Sequence, residues 1–383
     1  MKLLEHQAKT LFSCYGIPVP RGRVCGTADQ VRTAIDAVGP EVVLKAQVPA
    51  GRRGKEGGIW LGSDREDALG VAARLLATEV RGYPVRELLV EEKVPVEREL
   101  YLSVLTDTSG SRNCPMIMLG SRGGMDIEEL ASTDPGSLHM VHVDPCYGLL
   151  PYQARYLARA SSLSPKLQAQ LVKIMGALYR AYFEKDAELV EINPLVLKAS
   201  ETSPALMALD AKVTIDNAAV FRHPDLEGAK IDSVETRAAA VGLSYVELDG
   251  NIGLISNGAG LTMATMDHLA LLGGSPANFL DTGERILRGG IPDAFGILLA
   301  NPRVNVILIN IFGGGVRCDV IAEKIIEAAA DLPDPHPPIV VSLNGRNDQV
   351  GRRMLAEAAL RGVEVHPTID QAIAAAAALG TEP

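Results

Sequence analysis

Short apolar runs of strand length alternate with helical patterns through the second half of the chain, and this alternation constrains the fold most strongly. The strand-type runs cover residues 245–248, 252–255, 304–311 and 339–343, and the helical patterns cover 261–272, 322–330 and 352–359. Strands that alternate with helices form right-handed β-α-β units, which place the strands in a parallel sheet. We therefore predict a doubly wound α/β domain in this half.

The first half shows a different pattern, in which strand-type runs are more numerous and follow one another more closely. These runs cover residues 41–45, 88–93, 99–106, 189–192 and 205–209. Helical spacing of apolar residues predicts a helix over 4–15 and a longer one that begins at Ser164-Pro165. Apolar periodicity lapses between 221 and 234. We therefore predict a mixed α/β domain at 1–228 and the doubly wound domain at 229–383.

The composition argues against several classes of protein. At about 150 residues per domain, a chain of 383 residues predicts two or three domains. A net charge of −10 and 4% aromatic residues argue against a nucleic-acid binder, which normally presents a basic surface. Five cysteines without a C-x-x-C pair argue against a disulfide scaffold or a zinc site. No apolar stretch approaches the ~18 residues of a membrane span, and the N-terminus lacks a signal-peptide pattern, so we expect a soluble cytoplasmic protein.

A glycine-rich loop follows the first strand-type run. Lys45 ends that run, and residues 50–58 read AGRRGKEGG. A lysine beside glycine backbone can bind nucleotide phosphates, because its charge and the free N–H groups both favour the phosphate oxygens. The loop lacks the spacing of a P-loop. A hairpin loop with solvated basic residues explains the pattern equally well, so both interpretations stay open.

Polar residues interrupt two later strand-type runs. Glu191 and Asn193 occupy alternate positions of one run and therefore the same face, while Asp210 ends the next run. If these strands pair, Asn193 and Asp210 approach one ion. Mg²⁺ bound to a nucleotide takes one or two protein oxygens and completes its shell with phosphate and water. An exposed strand end is the alternative, but the polar residues at both strand ends favour a site.

Two glycine turns join strands to helices in the second half. The sequence NGAG at 257–260 follows one strand-type run, and NIFGGGV at 310–316 ends another. Such a turn presents the free N–H groups and the positive dipole end of the helix to an anion. Ligands of doubly wound sheets bind at this edge of the sheet. One glycine turn also arises in any tight connection, whereas two favour a site for an anionic group.

These motifs, in this order, resemble the β subunit of succinyl-CoA synthetase, the succinate–CoA ligase family with an ATP-grasp nucleotide domain. The resemblance covers nearly the whole chain and includes LLEHQAKTLFSCYGIPVP, VVLKAQVPAGRRGKEGG, LVEINPLVL, NGAGLTMATMD and NIFGGGVRCDVIAE. It implies an N-terminal ATP-grasp domain followed by a flavodoxin-like doubly wound domain. It also implies a subunit of an ADP-forming acid–CoA ligase that uses Mg²⁺ and ATP or ADP.

The resemblance implies a set of site residues, carried over by position. Lys45 would contact the phosphates, Arg52, Arg53 and Gly54 would form the closing loop, and Glu91, Val94 and Glu99 would lie around the base and ribose. Asn193 and Asp210 match the magnesium ligands, and Glu191 matches a carboxylate that steadies a mobile phosphohistidine. The carboxylic acid is implied at Asn257, Gly314, Gly315 and Val316.

The resemblance also implies a partner subunit. In this family the phosphorylated histidine and the CoA site belong to the α subunit, which assembles with the β subunit as αβ or α₂β₂. The 7 histidines of this chain agree, because none lies in the glycine-flanked loop that a swinging phosphohistidine needs. Cys318 lies at a helix start, but no base is nearby, and we interpret it as a buried helix residue.

The chain departs from the family pattern at several positions. Pro49 replaces a histidine, Arg52 replaces a glycine of the nucleotide loop, and Glu284-Arg285 replace two glycines in the second domain. The last change alters volume and charge near the acid, so malate, citrate or a sulfonated acid is an alternative to succinate. A non-catalytic nucleotide-binding homologue, in which Glu284 and Arg285 block the phosphohistidine, is a further alternative. The intact set of nucleotide-site residues argues against it.

Overall fold

The computed structural model describes residues 1–51, 53–62, 64–109, 113–125, 127–199, 204–229 and 233–381, and the backbone alone of Glu284. The chain divides into two compact units, Met1–Lys230 and Ile231–Pro383. Within the described ranges, no helix combines the length and the apolar character that crossing a membrane requires.

The first unit combines helices with many short strands. Its helices are α1 (Glu5–Cys14), α2 (Ala28–Val38), α3 (Arg65–Leu76), α4 (Ile127–Thr133), α5 (Pro151–Ala160) and α6 (Pro165–Glu184). Its strands are β1 (Gly22–Cys25), β2 (Val42–Ala46), β3 (Ile59–Gly62), β4 (Glu79–Val80), β5 (Tyr83–Pro84), β6 (Leu88–Glu92), β7 (Val96–Asp107), β8 (Cys114–Gly120), β9 (Leu138–His142), β10 (Ala187–Lys198), β11 (Ala205–Ala208) and β12 (Lys212–Ile215). The strands and helices that the sequence predicts in this half are all present.

A small antiparallel sheet forms the first layer of this unit, in the order β1-β6-β2-β3. Helices α2 and α3 pack against it and form a core with its apolar side chains. Each helix begins at a polar cap, since Thr27 and Asp64 accept hydrogen bonds from backbone N–H groups of the first turn. Leu44 and Ala46 belong to that core, so Lys45, between them on β2, projects from the opposite face.

A larger antiparallel sheet forms the second layer, in the order β11-β10-β7-β8-β9. Strand β12 also pairs with β10, so the first half of β10 lies beside β12 and the second half beside β11. Helices α1, α5 and α6 contribute to the core of this sheet, around Leu100, Leu102, Ile117, Leu171 and Leu178. The connection between β11 and β12 therefore lies next to the middle of β10.

The second unit alternates strands with helices, as the sequence predicts. Its helices are α7 (Val234–Ala240), α8 (Ala259–Leu271), α9 (Gly290–Leu299), α10 (Cys318–Ala330), α11 (Asp348–Glu357) and α12 (Ile369–Thr381). Its strands are β13 (Ser244–Glu247), β14 (Ile252–Ser256), β15 (Asn278–Asp281), β16 (Val306–Gly313), β17 (Ile339–Gly345) and β18 (Val363–His366).

These strands form one sheet in the order β13-β15-β14-β16-β17-β18. The last five strands are parallel and follow the flavodoxin-like order 2-1-3-4-5. Alternate residues of the central strands face two different cores, since Leu254 and Leu308 pack with α8 and α12 while Ile307 and Ile309 pack with α9 and α10. The predicted succession of a mixed α/β unit and a flavodoxin-like doubly wound unit is confirmed.

The prediction is wrong for one strand of this sheet. Residues 245–248 were expected to join the parallel set, but β13 pairs antiparallel with β15 at the edge of the sheet. The reason is the length of the connection. Only residues 248–251 separate β13 from β14, whereas a parallel crossover needs about a dozen residues or more.

Candidate functional site

A cavity of about 790 Å³ in the first unit collects most of the predicted nucleotide and metal residues. Its lining includes Lys45, Arg53, Gly54, Glu91, Val94, Glu99, Glu191, Asn193 and Asp210. These residues come from both sheets of the unit, because β2 and β6 provide one wall and β7 and β10 another. Arg52 lies outside the described residues, and its predicted role stays a prediction.

Lys45 lies at the centre of a cluster of charged side chains. Its side chain is only 10% exposed. Its Nζ donates to Glu5 Oε1 at 2.8 Å and to the Leu209 carbonyl at 2.5 Å, and it lies 2.9 Å from Glu91 Oε2. Burial opposes the charge of Lys45, but Glu5 and Glu91 outweigh burial and raise its pKa above the ordinary value. Lys45 is therefore positively charged at neutral pH.

Two residues of α1, Glu5 and Lys9, complete this cluster, and the sequence predicts a role for neither. Lys9 Nζ lies 2.8 Å from Glu5 Oε1 and donates to both carboxylate oxygens of Glu91, at 2.6 and 2.7 Å. Burial opposes ionisation of Glu5, but Lys45 and Lys9 outweigh it and hold its pKa well below the ordinary value. Glutamate and lysine four residues apart on a helix usually form an exposed pair, so their spacing does not indicate that they are buried.

Arg53 connects this cluster to Asp210. Its guanidinium lies 2.7 Å from Glu5 Oε2 and donates to Asp210 Oδ1 and to the Ala46 carbonyl, each at 3.0 Å. Burial opposes its charge, but Glu5 and Asp210 outweigh burial and raise its pKa. Arg53 is thus already paired with carboxylates, and a bound phosphate must compete with them.

The residues predicted around the base and ribose differ in their surroundings. Glu91 is 2% exposed, and its carboxylate is committed to Lys9 and Lys45. Glu99 lies at the wall of the cavity, and burial raises its pKa. Gly124 approaches it closely, since a Cβ at this glycine would lie 2.3 Å from Glu99 Oε2, and its φ of +72° also favours glycine.

Glu191 and Asn193 lie on β10 and line the cavity together, as their alternate positions predict. The Glu191 carboxylate is 3.9 Å from Lys212 Nζ, its neighbour across the β10–β12 pair. The Asn193 amide is fixed by the backbone, since its Oδ1 accepts from Gly124 N at 2.8 Å and its Nδ2 donates to the Met125 carbonyl at 2.9 Å. The amide orientation is therefore set by the chain around Gly124.

Asp210 lines the same cavity as Asn193. The β10–β11 register pairs Leu195 with Ala208, and Leu209 N donates to the Pro194 carbonyl, so the chain after β11 continues beside the middle of β10. The Asp210 side chain is 37% exposed. Its hydrogen bonds from Arg53 and from Ala211 N both reach Oδ1, and within the described residues Oδ2 accepts none.

One carboxylate and one amide oxygen at this wall fit Mg²⁺ that is bound mainly through phosphate and water. Burial raises the pKa of Asp210, so the surroundings of this residue do not by themselves favour its ionised form. A group of three His, Cys, Asp or Glu residues that could hold a metal alone is absent from the described part of the chain. The residues therefore suit a metal that arrives with a ligand of its own.

The predicted acid site lies at the carboxyl edge of the parallel sheet in the second unit. Asn257 Nδ2 donates to the Phe312 carbonyl at 3.0 Å, and its Oδ1 accepts from Phe312 N at 2.9 Å. Asp281 Oδ1 accepts from Gly258 N at 2.6 Å and from Gly283 N at 2.8 Å. These bonds fix the turns after β14, β15 and β16 to one another.

The glycine turn before α10 is open. A Cβ added at Gly314 or Gly315 would meet no atom within 4 Å, and Val316 packs partly against the core. Cys318, the first residue of the helix, is fully buried, and burial raises the pKa of its thiol, which confirms its interpretation as a packed residue. The turn can thus present backbone N–H groups without a reactive side chain beside them.

Arg285, one of the residues that replace glycine, packs beside α9. Its aliphatic part lies over Gly242, and its guanidinium is 3.5 Å from Asp293. Arg285 and Arg288 line a pocket of about 220 Å³ near the end of β15. The side chain of Glu284 lies outside the described residues, so its predicted effect stays a prediction.

Comparison with known proteins agrees across both units. A family model described as an ATP-grasp domain matches residues 2–197, and one described as CoA-ligase matches residues 255–379. The succinate–CoA ligase [ADP-forming] subunit beta of Geobacter sulfurreducens is 45% identical over 371 residues, which cover 94% of this chain and 95% of that protein. The protein of the same name from Staphylothermus marinus is 42% identical and covers 97% of both chains.

A solved structure shares the fold over almost the full length. ATP citrate lyase from Methanothrix soehngenii, in complex with citrate and coenzyme A, superposes with a TM-score of 0.69 at 19% identity and covers 98% of both chains. At this identity the likeness concerns the fold alone.

Proposed function

Because this chain belongs to the family of succinate–CoA ligase [ADP-forming] β subunits, we propose that it is the nucleotide-binding subunit of an ADP-forming acid–CoA ligase. In this function ATP in the first unit phosphorylates a histidine of an α subunit. The phosphoryl group then passes from the histidine to a carboxylic acid, and the thiol of CoA displaces inorganic phosphate from this acyl phosphate to form the thioester. The observation that carries the proposal is the cavity that joins Lys45 and Arg53 with Asn193 and Asp210.

We assign the triphosphate of ATP to the charged wall of this cavity. Lys45 and Arg53 exchange part of their contacts with carboxylates for phosphate oxygens, and Val94 and Glu99 lie toward the base and ribose. In this proposal the Glu91 carboxylate stays with Lys9 and Lys45 and contacts neither the base nor the ribose. Asn193 and Asp210 would hold Mg²⁺, which neutralises charge on the phosphates when bound. Glu191, which lines the same cavity, steadies the histidine of the partner while it receives the phosphoryl group.

We assign succinate to the edge of the second unit, at Asn257 and the turn from Gly314 to Val316. A strand–glycine turn–helix arrangement offers backbone N–H groups to a carboxylate without a lysine. The relatives in this comparison that carry a substrate in their names favour succinate over malate, citrate or a sulfonated acid. Asn257 acts here chiefly by holding the turn through Phe312.

The assembly follows from the family. We propose that the chain functions in the cytoplasm with an α subunit, as αβ or α₂β₂, and that the functional domains are 1–228 and 229–383. Co-expression with the α subunit and purification of the complex tests the partner. A panel of succinate, malate, citrate and a sulfonated acid then tests the substrate, with CoA thioester formation as the readout and succinate expected to give the highest kcat/KM.

Asp210→Ala tests the proposed role of the cavity. Removing the carboxylate should abolish phosphoryl transfer from radiolabelled ATP to the histidine of the α subunit while the complex still assembles, because Asn193 alone leaves the metal one protein ligand. Asp225→Ala removes an exposed carboxylate that pairs with Lys185, and it should behave as the unmodified enzyme. Unchanged transfer in Asp210→Ala would refute the assignment of the metal.

A further inference from the structure

Three oxygen atoms surround Lys45 Nζ in this structure. Its ammonium donates to Glu5 Oε1 and to the Leu209 carbonyl, and Glu91 Oε2 lies 2.9 Å away as an ion-pair partner. A lysine ammonium carries three N–H groups, so these three neighbours match its capacity. A phosphate oxygen that binds Lys45 must therefore replace at least one of them.

Glu91 depends more on Lys45 than Glu5 does, because its ion-pair partners among the described residues are Lys45 and Lys9, whereas Glu5 also contacts Arg53. Glu91 is 2% exposed, so water cannot solvate the carboxylate once Lys45 turns away. A buried carboxylate without a partner is strongly unfavourable. Some other cation has to remain on Glu91 if Lys45 is to serve the nucleotide.

Lys9 is placed to be that cation. Its Nζ donates to both oxygens of Glu91, at 2.6 and 2.7 Å, and also lies 2.8 Å from Glu5 Oε1. The side chain of Lys9 is 5% exposed, and it is not among the residues that line the cavity. Lys9 therefore acts on the carboxylates behind Lys45 and does not reach the nucleotide.

The cluster contains equal numbers of basic and acidic side chains. With all six groups ionised, Lys9, Lys45 and Arg53 give three positive charges against the three negative charges of Glu5, Glu91 and Asp210. Without Lys9, two cations would face three carboxylates. Both remaining cations would then be drawn more strongly to the carboxylates and away from a phosphate.

We infer that Lys9 is a positioning residue for nucleotide binding, which keeps Glu5 and Glu91 neutralised while Lys45 exchanges a carboxylate for a phosphate oxygen. This inference rests on the proposed function of the cavity as an ATP site. A purely structural lysine, which only attaches α1 to β6, would affect the fold and all substrates alike. Charge balance makes a narrower prediction. Loss of the Lys9 charge should weaken binding of the nucleotide specifically, and removal of one carboxylate should restore that binding.

Three variants of the full chain, each in complex with the α subunit, distinguish these roles. Lys9→Met removes the charge, Lys9→Met/Glu91→Gln removes one cation and one carboxylate together, and Lys185→Met removes a lysine from an ion pair elsewhere in the unit. Binding of Mg-ATP is measured by titration calorimetry, and KM is measured for ATP and for succinate.

Lys9→Met should weaken Mg-ATP binding by about tenfold or more. Lys45 would then stay with the carboxylates, and the phosphate would lose one hydrogen bond from a charged donor. The KM for ATP should rise in parallel, while the KM for succinate stays unchanged. The double variant should recover most of the lost affinity, and Lys185→Met should match the unmodified enzyme.

Two results would overturn the inference: unchanged affinity in Lys9→Met, or a double variant that binds ATP about tenfold more weakly than the unmodified complex does. The second result decides the matter even if Lys9→Met fails to fold. An unmodified complex that binds no Mg-ATP would instead refute the proposed function, whatever the variants do.

Discussion

The two candidate ligand regions differ in the chemical groups that they offer to a ligand. The cavity of the first unit is surrounded by buried charged side chains, with Lys45 and Arg53 held by carboxylates. The edge of the second unit relies on backbone N–H groups and on neutral or backbone-bound side chains such as Asn257. Lys45 and Arg53 can bind a ligand only by exchanging partners, whereas the turn of the second region is exposed at Gly314 and Gly315.

This difference affects the stability of each unit and the dependence of that stability on pH. Buried charges depend on one another, so removal of one leaves others unpaired in a poorly solvated environment. Turns that are fixed by hydrogen bonds near solvent lose less, because water replaces the missing partner. The first unit should therefore respond strongly to single substitutions in its cluster, and the second unit only weakly.

The largest effect is expected for Glu5→Gln. Glu5 contacts Lys9, Lys45 and Arg53, and its loss should lower the free energy of unfolding of the first unit by roughly 3–5 kcal/mol, the cost of breaking a buried ion pair. Denaturant unfolding followed by the fluorescence of Trp60, the single tryptophan of the chain, reports on this unit.

A matched control for this substitution is Glu41→Gln. Glu41 is exposed and lies 3.7 Å from Lys93, so its removal should change stability by less than about 0.5 kcal/mol. A similarly small loss in Glu5→Gln would show that the buried cluster is not what distinguishes the first unit.

An intermediate effect is expected on lowering the pH. The pKa of Glu5 is depressed in the folded state from an ordinary value near 4.5, so its stabilising contribution is complete above that value and declines as the pH falls below it. The Trp60 unfolding midpoint should therefore decrease from pH 5 to pH 3. The pKa of Asp210 is raised and acts in the opposite direction, so the comparison with Glu5→Gln isolates Glu5.

In Glu5→Gln the midpoint should decrease less steeply over this pH range, while Glu41→Gln should keep the original slope. Equal slopes in all three proteins would contradict the assignment of the acid sensitivity to Glu5.

The smallest effect is expected for Asn257→Ala. Two hydrogen bonds to the Phe312 backbone are lost, which should cost about 1 kcal/mol in the stability of the second unit, because solvent reaches both groups. Hydrogen exchange of the turn at 312–316 should accelerate, and the KM for succinate should rise while the KM for ATP is unchanged. A rise in the KM for ATP as well would contradict the assignment of this turn to the acid alone.

Most of the second unit could be predicted from the sequence, because the patterns that determine its strands, helices and turns span only a few consecutive residues. Apolar runs and helical patterns located β14, β16, β17 and helices α8, α10 and α11, and the glycine turns lie at the carboxyl edge of the sheet. The antiparallel orientation of β13 was missed, since strand direction depends on which neighbour a strand finds and on the length of its connection.

The first unit was predicted less completely. Lys45, Arg53, Asn193 and Asp210, which strand patterns and family motifs single out, line one cavity, and their roles stay a prediction. Glu5 and Lys9 were missed, since their spacing on α1 is that of an ordinary exposed ion pair. Their burial depends on β2 and β6, which lie far along the chain.

The amino-acid sequence by itself determined the succession of strands, helices and glycine turns, because each of these reflects periodicity and backbone preference over a few residues. Only the tertiary structure decided which charged side chains share one poorly solvated space, because that depends on segments far apart in sequence packing side by side. The partners of Lys45 are the clearest case. They are Glu5 from the first helix, Glu91 from strand β6 and the carbonyl of Leu209, which are far apart in the sequence.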